Sequence, residues 1–128
     1  MIGVDTNVVV RFLTADDPIQ AVKSRALFRE HEVWLSRTVI LETEWVLRGA
    51  FELDRAAVNR ALVSLINMEG VVVEDHAVVA EALDHHTSGW DFADALHVLA
   101  CPPGTQVFYS FDKRLARKKM GALKLQMP

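Results

Sequence analysis

MIGVDTNVVVRFL, residues 1–13, sets Asp5-Thr6-Asn7 between two apolar runs, with no Gly or Pro among them to mark a turn. Ile2 to Val4 reads as a short buried strand, and Val8-Val9-Val10 as the start of a helix or helical turn. Asp5 therefore stands at the carboxyl end of a strand. Its plain reading is a helix N-cap.

The same alternation runs through the chain. Asp17-Pro18 opens an amphipathic helix to about Glu30, with Asp as cap and Pro at the first helical position. Val33 to Leu35 is a second strand, and Thr38 to Phe51 a mostly apolar helix. Asp54 caps a helix striped by Val58, Leu62, Leu65 and Ile66 and closed by Gly70. Val71 to Val73 is a strand, Asp75 opens a helix carrying Val79, Ala82 and Leu83, and Trp90 to Cys101 is another, stopped by Pro102-Pro103-Gly104. Val107 to Tyr109 is a strand, Lys113 to Lys119 a short basic helix, and Leu123 to Met127 an edge strand. Short apolar strands separated by helices predict an α/β fold with a parallel sheet, whose ligands gather outside the carboxyl ends of the strands.

At 128 residues, 51% of them hydrophobic, the chain is expected to form one domain, residues 1–128, with a real core. No apolar run approaches the roughly 18 residues of a membrane span, since Arg11 breaks the first candidate. Asp5 sits where a signal peptide would be apolar. Cys101 is the single cysteine, which precludes an internal disulfide and fits a reducing cytoplasm.

The net charge of −3 conceals a segregation. Residues 1–110 carry −8, and residues 111–128 carry +5, from Lys113, Arg114, Arg117, Lys118, Lys119 and Lys124 against Asp112. The basic end is either a solvated helix face or an anchor for phosphates.

Several acids stand where acids are not expected. Glu42 lies inside VILETEWVLR, an otherwise apolar helix; Glu44, two residues on, is about 200° round the helix, so one faces out and the other in. Asp91 and Asp94, in GWDFADALHVL, share a face near a helix start, where Asp91 can be the N-cap. Asp112, in YSFDKRL, can cap the basic helix. If Asp5, Glu42, Asp94 and Asp112 converge, each close pair repels by roughly 4 kcal/mol at about 4 Å and an effective dielectric near 20, so the cluster must take up protons or a cation. An oxygen-only ligand set favours magnesium or manganese over zinc. The histidines lack ligand-like spacing, no Gly-rich phosphate loop or nucleophile elbow is present, and Trp34, Trp45 and Trp90 read as core.

Taken in order, VDTNVVVR, VILETEWVLR, GWDFADALHVLA and YSFDKRLA resemble the PIN-domain family, and within it the VapC-like toxins of bacterial toxin–antitoxin pairs. The resemblance spans nearly the whole chain. It implies a three-layer α/β/α fold with a central parallel sheet of four or five strands. It also implies an endoribonuclease dependent on magnesium or manganese, with Asp5, Glu42, Asp94 and Asp112 as its catalytic acids and metal ligands. Asn7 matches a polar residue that steadies the first acid, Ser110 a small hydroxyl residue before the last, and Asp91 a frequently acidic position. A cognate antitoxin protein, a homodimer and a cytoplasmic location are implied with them. Two other classes share these residues: a phosphohydrolase acting on a small phosphate ester in a closed pocket, and a catalytically silent binding module whose acids only cap helices.

Overall fold

The computed structural model describes all 128 residues. Five short parallel strands carry the fold. β1 (Ile2–Gly3), β2 (Val33–Leu35) and β3 (Val71–Val73) pair in that order, Ile2 opposite Val33 and Val33 opposite Val71. β4 (Val107–Tyr109) and β5 (Lys124–Gln126) form a second parallel ladder, with Phe108 opposite Leu125. The parallel strands expected from the apolar runs are all present. They are hydrogen-bonded as ladders of three and two, and the two-residue β1 pairs only with β2.

Seven helices connect them: α1 (Thr6–Thr14), α2 (Pro18–Glu30), α3 (Arg37–Gly49), α4 (Arg55–Ile66), α5 (His76–Thr87), α6 (Phe92–Leu99) and α7 (Lys113–Ala116). Parallel neighbours cannot be joined by tight turns, so each crossover consumes a helix. Val33 and Leu35 of β2, Ile40 and Leu47 of α3, Leu62 and Leu65 of α4, and Leu83 of α5 are completely or almost completely buried in one core. Burying each such side chain is worth about 1.5–3 kcal/mol.

Local chemistry sets the boundaries. Ser36, Asp17 and Asp54 accept hydrogen bonds from backbone amides three residues on and start α3, α2 and α4. α4 ends at Ile66, with Asn67 as its C-cap, rather than at Gly70, which at φ +83° turns the chain into β3 instead. α6 begins at Phe92 because Asp91 caps it, and stops at Leu99 because Pro102 disfavours a helical Cys101 and supplies no amide. The basic helix is shorter than its composition suggests, ending at Ala116. Asp75 does not cap α5. It sits in the left-handed region at φ 50°, and its carboxylate pairs with Arg37 Nη1 at 3.3 Å.

The tryptophans depart from the core reading. Trp90 is buried, whereas Trp34 and Trp45 are exposed. Trp34 alternates outward from a strand whose other residues face the core, and Trp45 occupies the outer side of α3. Cys101 is half-buried, its thiol donating to the His97 carbonyl at 3.6 Å.

Candidate active site

Three of the acids singled out in the sequence cap helices, as their plain reading requires. Asp5 Oδ1 accepts from Val8 N at 3.1 Å, Asp91 Oδ1 from Asp94 N at 3.0 Å, and Asp112 Oδ1 from Arg114 N at 2.8 Å and Leu115 N at 3.4 Å. Each cap uses only one of the two carboxylate oxygens. Oδ2 of each residue makes no hydrogen bond or ion pair within the protein. Ser110 Oγ accepts from Asp112 N at 3.0 Å and braces the turn that presents this acid. Asn7 lies in the same groove as Asp5 but makes no side-chain hydrogen bond to it.

The two glutamates of α3 part as helical geometry demands. Glu44 is the inward one, only 2% exposed, and its charge is met by Arg48 one turn on, with Nε at 2.9 Å from Oε2 and Nη2 at 3.5 Å from Oε1. Burial of a carboxylate is tolerable only with such a partner. Beside this pair, Arg55 donates to the carbonyls of His86 and Trp90, and Asn59 Nδ2 donates to the Leu83 carbonyl and His86 Nδ1. With Nδ1 accepting, His86 is neutral and carries its proton on Nε2. Its pKa lies below the usual histidine value, first because burial disfavours the cation and next because of the Arg55 charge.

Glu42 is exposed and has no protein partner. It opens on a groove of about 410 Å³ between α3 and α6 that also contains Ala93, the neighbour of Asp94. The Asp94 carboxylate likewise makes no hydrogen bond. Its pKa is raised, first by partial burial, then by the negative charges of Asp91 and Asp112, with His97 and Arg114 opposing. Asp91, Asp94 and Asp112 thus lie within electrostatic reach of one another, and the basic end of the chain reaches the same place through Arg114. Asp5 lines a separate groove between α1 and α2 with Arg11 and Lys23.

No three acidic, histidine or cysteine side chains close round a single point as a cage would. The donor chemistry nonetheless fits a hard divalent cation: oxygen atoms alone, two carboxylates without partners, and one carboxyl whose pKa is raised by partial burial and then by like charge. Magnesium retains several waters and is commonly held by one or two carboxylates together with substrate phosphate. Asp94, Asp112 and Glu42 are side chains that could hold it; Asp5, expected as a ligand with them, lines the groove between α1 and α2 instead.

Sequence reasoning missed Trp45, Arg48 and the buried Glu44 as parts of this region. The signal was present in the spacing: Trp45 is three residues from Glu42, and Arg48 four from Glu44, each pair sharing a helix face.

The fold is a parallel α/β arrangement in which Asp5 and Asp112 cap the helices that follow β1 and β4, and Asp91 caps α6. A model of one family, described as the PIN domain, matches residues 2–120. The chain belongs to the PIN-domain family, whose members are generally metal-dependent nucleases. No curated protein matches the sequence.

Proposed function

We propose that the chain is an endoribonuclease dependent on magnesium or manganese, and that it serves in the cytoplasm as the toxin of a toxin–antitoxin pair, as a homodimer silenced by a cognate antitoxin protein. The observation that carries the nuclease reading is the Asp94 carboxyl, which has no partner within the protein and follows Ala93 of the open groove that Glu42 lines. A bound divalent ion would lower the pKa of its water and offset charge on the phosphodiester. The protein's own part is positional. Capping bonds fix Asp5 and Asp112, Ser110 braces the latter, and Glu42 faces the groove in which the strand would lie. Arg114 and the exposed Arg117 and Lys119 offset the repulsion between a polyanion and these acids.

The test is incubation of the purified chain with labelled RNA in manganese, in magnesium and in EDTA, beside Asp94→Asn and Asp5→Asn. Discrete metal-dependent cleavage that both variants lose is the expected result. Metal-dependent cleavage that survives in Asp94→Asn would remove that residue from the site. One observation favours a second reading: the capping bonds of Asp5, Asp91 and Asp112 give each a structural role sufficient in itself, as a silent binding module requires. Calorimetric titration with manganese that shows no binding would select that module. The groove's openness argues against a small phosphate ester, which needs enclosure to exclude water.

A further inference from the structure

Trp45 is 64% exposed, on the side of α3 away from the buried Ile40, Thr43, Glu44 and Leu47. On α3 it falls four residues after Leu41, three after Glu42 and three before Arg48, so one stripe of the helix carries an acid, a flat aromatic surface and a cation in succession. The stripe forms one wall of the 410 Å³ groove, and Ala93 of α6 lies across it. That volume falls within the range of about 300–1,000 Å³ typical of small-ligand sites. Arg48 uses Nε and Nη2 to hold Glu44, which leaves Nη1 without a partner.

From this succession we infer that the groove binds one unpaired nucleotide of a single-stranded RNA, its base stacked on Trp45 against Leu41 and its outer phosphate on Arg48 Nη1. The inference rests on the nuclease reading and adds to it the side chains, Trp45 and Arg48, that hold a nucleotide beside the scissile bond. Continuity with Glu42 on the same wall orients the strand: the stacked nucleotide neighbours the phosphodiester that faces this acid. A base must be splayed out of a helix to stack on a side chain, which selects single strands over duplexes. Because every base has a π-face, Trp45 contributes affinity and strandedness rather than a sequence code.

The experiment uses the whole chain in EDTA, with a mixed-sequence single-stranded oligoribonucleotide of about a dozen nucleotides and the matching duplex. Tryptophan emission and fluorescence anisotropy report binding, and parallel assays in manganese report cleavage. Single-stranded RNA should quench the wild-type emission. Trp45→Phe should abolish most of that quenching and retain affinity to within about threefold, while Trp45→Leu should weaken binding by between about 5- and 150-fold, the range for loss of one base–aromatic stack. Both variants should melt with the wild type, because the side chain is exposed. In manganese, Trp45→Leu should raise KM and leave kcat nearly unchanged. A wild type that cleaves RNA and a Trp45→Leu variant that binds it equally well would overturn the inference and leave the nuclease reading standing. Wild-type protein that neither binds nor cleaves RNA would overturn both. Conversion of a dimer to a monomer by Trp45→Leu, with RNA affinity unchanged, would make this face a contact between copies and overturn the inference.

Discussion

Replacing Arg48 by Met tests how α3 tolerates a buried acid. Glu44 is 2% exposed, and Arg48 is its sole ion-pair partner, at 2.9 Å. Breaking a buried pair by removing one member costs about 3–5 kcal/mol, most of it the desolvation of the charge left behind. The Arg48 side chain is itself 51% exposed, so water reaches the space it vacates, and the loss falls to about 2–3 kcal/mol. Unfolding entropy of about 2.1 cal/mol/K per residue makes 1 kcal/mol worth about 4 °C in a chain of this length, so Tm should drop by about 8–12 °C. Thermal unfolding followed by circular dichroism, without RNA or metal, measures it. The double variant Arg48→Met/Glu44→Leu should recover most of the loss, since an apolar pair of similar volume carries no uncompensated charge. A single variant that loses less than about 0.5 kcal/mol, or a double variant that fares no better than the single, would refute the argument.

Asp94→Asn should leave the metal-free protein at least as stable as the wild type at pH 7. The folded-state pKa of Asp94 is raised, so the folded protein holds that proton to higher pH than the unfolded chain, and stability falls as pH rises from about 4 through the folded value. Manganese should then raise the wild-type Tm and not the variant's; a variant that melts lower without metal would contradict the repulsion. His86 has the opposite sign. Its folded pKa is lowered, so its contribution is complete above about pH 6.5 and is lost as pH falls from there toward the folded value, with rupture of the Asn59 bond; His86→Gln should flatten that part of the stability–pH curve measured by urea unfolding. Neutralising Arg117 and Lys119 should reduce the salt slope of RNA binding by about 1.4, at about 0.7 per phosphate contact on a single strand. Lys118 is omitted because its ammonium lies 5.1 Å from the centre of the Trp90 ring, and an unchanged slope would return the segment to a solvated face.

The strands and helices were legible wherever period and punctuation agreed. Asp17-Pro18, Asp54 and the valine run at 71–73 each mark in the chain what the backbone does. What stayed hidden required the third dimension. The sequence shows that one of Glu42 and Glu44 must face inward, but only the packing of α3 against the core settles that it is Glu44, through an arginine one turn on. Trp45 read as core because tryptophan is usually well buried, and its exposure depends on nothing in the chain covering that side of α3. At Asp75 the cap pattern was present, yet a cross-element pair with Arg37 took the carboxylate instead.

Capping and metal holding are often treated as rival explanations for an acid at a helix start, and here they are compatible. A cap satisfies an orphan amide with one oxygen, and at Asp5, Asp91 and Asp112 that oxygen is Oδ1 in each case. The bond locks the side chain in position and leaves Oδ2 free, so a structural contact preorganises a functional one. Substitutions separate the two roles. Asparagine is as good an N-cap as aspartate, whereas alanine forfeits about 0.5–2 kcal/mol of helix stability. Asp112→Asn should therefore keep the wild-type melting temperature while removing the charge, and Asp112→Ala should lose both. If Asp112→Asn kept full metal-dependent cleavage and Asp112→Ala lost it in proportion to its stability, the acid would be a cap and nothing more. Activity lost equally in both, with only the alanine variant destabilised, would assign Oδ2 to the chemistry and Oδ1 to the fold.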